Sequence, residues 1–196
     1  MREFDIEARI ANPPEGLLAK YTGKEKEFFY DYASFVHRIL SSQQVIDQLR
    51  HLIEVEAINP GRSIDLRIMV FHARPLTGRP RNVLHGSFNH DSSQISLYPL
   101  KLPREWIRKE GVSLFKTSPG DRSPSQQSVL RDMLISATST LIHEVLHVKF
   151  ESRQMSRYVE EAVVRKLERK YAEDWLGKLS LDTSALTHPM QMDVEV

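Results

Sequence analysis

An α+β fold with a small mixed sheet is what this chain predicts, and three observations carry the prediction. Lys24 to about Asn59, and again Ser125 to about Phe150, contain no glycine or proline and carry apolar residues at helical spacing. Between them lie short runs of period two bounded by turn residues. Helices, then strands, then helices, rather than strict alternation, is the α+β order. The 196 residues suffice for one domain with a substantial core, so the whole of 1–196 is taken as a single domain.

Residues 1–23 contain Asn12-Pro13-Pro14 and Thr22-Gly23, which interrupt helices and central strands, and are expected to be an N-terminal arm. The helical segment 24–59 has one stripe of Phe28, Phe29, Tyr32, Phe35, Val36, Ile39 and Leu40. A second stripe is Val45, Ile46, Leu49, Leu52 and Ile53. Ser41-Ser42-Gln43-Gln44 between them resembles an N-cap with its capping-box glutamine, and Asn59-Pro60-Gly61 ends the pair.

The sheet is expected within 64–98. Ile64 to Phe71 alternates and then becomes apolar on both faces, and a loop rich in Arg, Pro and Gly follows. Val83–Phe88 and Gln94–Tyr98 are two short strands joined by the turn Asn89-His90-Asp91-Ser92-Ser93. Leu102 to Gly111 is expected to be a short helix or irregular segment. Ser123-Pro124-Ser125-Gln126 is a helix start, with serine as N-cap, proline in the first turn and glutamine three after the cap. A last helix from about Ser156 to Leu176 is expected to stop at Gly177, leaving 178–196 as a tail.

Composition excludes several functional classes. Lysine plus arginine total 27 against 26 acidic residues, a net charge of +1, which gives no general field for nucleic acid or an anionic membrane. Arg74, Arg79, Arg81, Arg104, Arg108 and Lys109 make the middle basic, but no aromatic interleaving accompanies them. With no cysteine, disulfides, thiolate metal sites and thiol nucleophiles are absent. The longest apolar run, Ile68 to Phe71, is four residues against the roughly 20 of a membrane span. With no leader pattern in the first twenty residues, the expectation is a cytoplasmic protein.

The chemistry-bearing motif is His143-Glu144-Val145-Leu146-His147. Histidines at i and i+4 stand about 40° apart around a helix and one turn apart along it, so both imidazoles reach one ion. Glu144 lies about 60° beyond His147, beside the pair, where a carboxylate meets a metal-bound water without taking a ligand position. Leu141, Ile142, Val145, Leu146 and Val148 surround the motif, and buried imidazoles need partners.

A catalytic zinc needs a third protein ligand. Positions 150 and 153 are Phe150 and Arg153, which excludes a third histidine there, and the only later histidine is His188 in the tail. The following helix offers Glu160 and Glu161. Around that helix Val159, Leu167, Tyr171 and Val164 fall at about −40°, 40°, 80° and 100°, Glu160 at about 60° and Glu161 at about 160°. An ionised carboxylate in the middle of an apolar face is costly unless paired or bound to metal, which favours Glu160, with Glu161 the alternative.

HEVLH followed by Tyr158-Val159-Glu160-Glu161-Ala162 resembles the gluzincin clan of zinc peptidases, and the chain's size and short spacing are most similar to the compact archaeal minigluzincins. Gly86 to Pro99 resembles the hairpin preceding the active helix in such folds, whose outer strand pairs with an extended peptide. The resemblance covers roughly Val83 to Tyr171, and Lys149 stands where many relatives keep an apolar residue. It implies a zincin-like fold, Zn²⁺ held by His143, His147 and Glu160, a peptide or protein substrate, and Glu144 as the base that takes the water's proton. Tyr98, Arg153 and His188 are candidates for stabilising the oxyanion, and 178–196 is a candidate inhibitory segment. A metal-binding, non-catalytic regulator on the same frame is the alternative, and a core helix with two internally bonded histidines the plainest one.

Overall fold

The computed structural model describes residues 6–13, 16–59, 63–72, 85–150 and 154–178, with side chains to 175. Arg74, Arg79, Arg81, Arg153 and His188, and the tail from residue 179, lie outside the described residues. The architecture is α+β, with a four-stranded mixed sheet.

β1 (Ile6–Ile10) is the first correction to the expected arm. Ile-Glu-Ala-Arg-Ile alternates, and it pairs in parallel with β2 (Ile64–Ile68) in the register Ile6↔Ile64 to Ile10↔Ile68. The alternation puts Ile64, Leu66 and Ile68 into the core, while Arg9 and Arg67 clasp Asp65 on the other face. Two parallel neighbours need a long crossover, supplied here by α1 (Gly23–Leu40) and α2 (Gln43–Val55). The capping box of α1 runs between Thr22 and Glu25. Ser42 is the N-cap of α2 but forms no side-chain cap bond, so the expected capping box there is not made.

β4 (Gln94–Leu97) lies parallel to β2, and β3 (Gly86–Asn89) closes a hairpin against β4, giving the order β1-β2-β4-β3. Ser93 ends the turn with φ at 48°, a left-handed conformation costly for a residue with a Cβ.

The stretch expected to be a short helix or irregular segment is helical: α3 (Arg104–Trp106), a π-helical turn (Ile107–Gly111) and α4 (Val112–Leu114). The side-chain amide of Gln126 donates to the Glu110 carbonyl at 2.9 Å and to Ser113 Oγ at 3.0 Å. Glu25, fully buried, accepts two bonds from Arg104.

α5 (Pro124–Val148) starts at the expected Ser123–Gln126 capping box, both halves of which form. It packs on β3 and β4 and against α6 (Arg157–Lys178). Flanked by sheet and helix, its second half is buried nearly all round, as a core helix should be. Gly177 lies within α6 rather than ending it.

Candidate metal centre

His143 and His147 occupy the last two turns of α5, where the helix runs between the sheet and α6. His147 Nδ1 lies 2.6 Å from Glu160 Oε1, and His143 Nδ1 lies 2.8 Å from Glu168 Oε2. An ionised carboxylate only accepts, so each Nδ1 carries the hydrogen and donates it. The two Nε2 atoms face one another at 3.1 Å, where a proton shared between them can be replaced by a cation that takes a lone pair from each. Glu161 closes the cluster: Oε2 is 3.5 Å from His143 Nε2 and Oε1 is 3.4 Å from His147 Nε2.

Two lone pairs at that separation repel unless a proton or a cation lies between them. The Nε2–Nε2 separation is close to the roughly 3.3–3.4 Å between ligands of a tetrahedral ion, and one ligand atom from each of His143, His147 and Glu161 lies within 4.8 Å of the others. His143, His147 and Glu161 are the one group able to hold a metal ion among the described residues. The donor set, two imidazoles and a carboxylate, suits zinc.

The structure brings Glu161, the alternative, rather than the favoured Glu160 to the two Nε2 atoms. Glu161 faces the two Nε2 atoms, and Glu160 orients His147 from behind. The apolar pattern of α6 misplaced its buried face. Val159 is exposed, whereas Val164, Glu168, Tyr171, Ala172 and Trp175 are buried, a face centred at about 120° on the angular scale used above. Glu160 and Glu161 flank that centre on either side. Glu168, an acidic residue on that face, is only 7% exposed because it serves His143. Its spacing of seven from Glu161, two helical turns, is the signal that could have found it.

No family model, curated protein or solved structure matches the chain.

The electrostatics of the site agree with its geometry. Burial disfavours a charged His143, but Glu161 and Glu168 outweigh burial and lift its pKa to about 10. Burial works the same way on His147, and Glu161 and Glu160 raise its pKa against it. Glu161 is held well below the usual carboxylate range by the two imidazoles, first His143 and then His147. The carboxylates thus demand positive charge at this spot, which protons or a divalent cation can supply.

Glu144 has a different environment. It is 6% exposed, and burial pushes its pKa up to about 6 against the pull of the two histidines. It packs against Gly86 of β3: a Cβ placed on that glycine would stand 3.0 Å from Glu144 Oε1 and 2.3 Å from Thr140 Cγ2. Nothing in the sequence alone marks Gly86 for this role.

Tyr158, near the start of α6, is 83% exposed. Tyr98 sits after β4 with its hydroxyl bonded to Ser87. No described helix is long and apolar enough to cross a membrane.

Proposed function

We propose that this protein is a zinc-dependent peptidase on a zincin-like frame, with His143, His147 and Glu161 holding the ion and Glu144 as general base. The observation that supports it best is the pair of Nε2 atoms facing each other at 3.1 Å, each imidazole held from behind by its own carboxylate. Carboxylates behind metal-bound histidines orient the ring and raise its basicity. A purely structural histidine pair has no need of three glutamates.

Zinc bound there supplies Lewis acidity towards a scissile carbonyl and lowers the pKa of a coordinated water. Glu144 then acts as the proton carrier. Its carboxylate lies between β3 and the histidine pair, takes a proton from the attacking water and returns it to the departing amine. Burial between Thr140, Gly86 and the histidines keeps that carboxylate in one place, so little reorganisation accompanies the transfer.

The test is elemental analysis of the full chain purified without chelators, alongside His143→Ala and Glu161→Ala. One equivalent of zinc in wild type and little in either variant is the expected result. Absence of zinc in wild type, even after zinc is supplied, overturns the reading. Zinc bound without hydrolysis of any peptide in a quenched-fluorescence library would assign the chain to the non-catalytic alternative.

A further inference from the structure

The two residues after a helix's last ligand decide how firmly that ligand is held, and here the second of them is a lysine. α5 ends at Val148, so His147 sits in its final turn. The last turn of a helix is where fraying begins, because its carbonyls lack helical partners. The backbone tightens there: Lys149 N–H donates to the Leu146 carbonyl at 3.1 Å and Phe150 N–H to the His147 carbonyl at 3.0 Å. Those two bonds alone leave the end of the helix free to unwind with its ligand.

Lys149 does not reach into solvent, as a lysine at a helix C-terminus ordinarily would. Its side chain is 20% exposed and its ammonium donates to Glu56 Oε2. Glu56 is the C-cap of α2 and its side chain is 10% exposed. The other oxygen, Oε1, accepts from the hydroxyl of Tyr171. Tyr171 lies on α6 three residues after Glu168, the carboxylate that holds His143. One part-buried carboxylate from the N-terminal helices therefore binds the end of α5 next to one histidine and the stretch of α6 next to the other histidine's partner.

The anchor itself is firm. Glu56 N–H donates to the Leu52 carbonyl, and Ala57 takes a left-handed φ of 50°. Ile58 N–H donates back to the Ile53 carbonyl and its side chain is buried, a closed helix terminus. A non-glycine residue in that conformation carries strain, sustained only where its surroundings over-determine it.

Buried ion pairs seldom add stability relative to apolar side chains of similar size; their best-attested use is to fix one arrangement among several. We propose that Glu56 is a positioning residue for the metal centre, setting the final turn of α5 and the register of α6 through Lys149 and Tyr171. This rests on the metal reading above. It brings α2, which contributes no ligand, into the function of the site.

The test measures zinc affinity by competition with a chromophoric chelator, and stability by urea unfolding of the zinc-free chain. The variants are Glu56→Gln, Lys149→Met and the double variant Glu56→Leu with Lys149→Met. The double variant replaces the pair by apolar groups and leaves no unpaired charge, where a single change does, and the urea measurement shows what the loss of the Tyr171 acceptor costs. The expected result is zinc affinity lowered by about tenfold or more in all three, the size of loss typical of groups that orient ligands. In the double variant this loss occurs with the urea midpoint held or raised, which a merely structural role would not produce. Wild-type affinity in the folded double variant overturns the proposal, as does affinity that falls only in step with stability across the set. A wild-type chain that binds no zinc fails earlier and differently: it removes the metal reading, and this inference with it.

Discussion

Glu144 and Gly86 touch across the interface of α5 and β3 at a distance that leaves no room for a methyl group. A Cβ at position 86 would meet Glu144 Oε1 at 3.0 Å, Glu144 Cγ at 3.2 Å and Thr140 Cγ2 at 2.3 Å. The close approach of strand and helix is what buries the carboxylate beside the two histidines.

Gly86→Ala is therefore expected to destabilise the chain by about 1–3 kcal/mol, the usual cost of overpacking a filled interface. The shortest contact is with the Thr140 methyl, so Thr140→Ser in the same chain should recover part of the loss. Urea unfolding of the two single variants and the double variant measures this. Additive losses would show that the clash is relieved by another route.

Glu144→Gln keeps the size of a side chain that is 6% exposed and removes only its ability to take a proton. Bound zinc should stay at the wild-type level while the turnover of any peptide substrate falls by about 10²–10⁴-fold, the contribution of a general base. Elemental analysis and initial rates on the same preparation separate the two effects. Turnover that survives the substitution would remove Glu144 from the reaction.

How much of this was legible in the sequence depended on whether a local rule stood alone. The histidine pair follows from helical periodicity, and the capping box at Ser123 and Gln126 forms as its spacing predicts. At α2 the N-cap is Ser42 rather than Ser41, so the residue three on is Val45 rather than Gln44 and the expected capping box has no glutamine to close it. β1 was readable as the alternation Ile6-Glu7-Ala8-Arg9-Ile10, but the prolines after it weighed more than five residues of period two. On α6 the hydrophobic pattern misled for a physical reason. The face that packs on α5 carries Glu161 and Glu168 because its partners are imidazoles, so the buried side is the acidic one. Gly86, Glu56 and Lys149 owe their roles to contacts between distant segments, which a single sequence does not display.

Part of the acid sensitivity should trace to Glu25. This carboxylate is fully buried, and the Arg104 guanidinium, with the Thr22 N–H in support, holds its pKa at about 2 against the opposing effect of burial. A folded-state pKa below the ordinary 4.5 means that the unfolded chain binds the proton more readily. The stabilisation is thus complete above about pH 4.5 and is lost as pH falls towards 2. Because the Arg104 side chain is half exposed, salt should weaken the effect. Unfolding midpoints between pH 6 and pH 3 measure it, and Glu25→Gln should flatten that part of the profile. An unchanged slope in the variant would place the acid sensitivity elsewhere.

Glu160 and Glu161 are neighbours in sequence, yet they should respond very differently to the same truncation. Glu161 meets both Nε2 atoms, so Glu161→Ala removes one of three donors to the ion. Glu160 meets only the Nδ1 of His147, at 2.6 Å, so Glu160→Ala leaves all three donors and loosens one. Loss of an orienting carboxylate typically lowers metal affinity by about 10–100-fold. Loss of a ligand should exceed that and leave no stoichiometric zinc after dialysis. Chelator competition on the two variants decides the assignment. Should Glu160→Ala prove the more damaging, the third ligand is Glu160 and the orienting group Glu161, the reverse of what the distances to the two Nε2 atoms support.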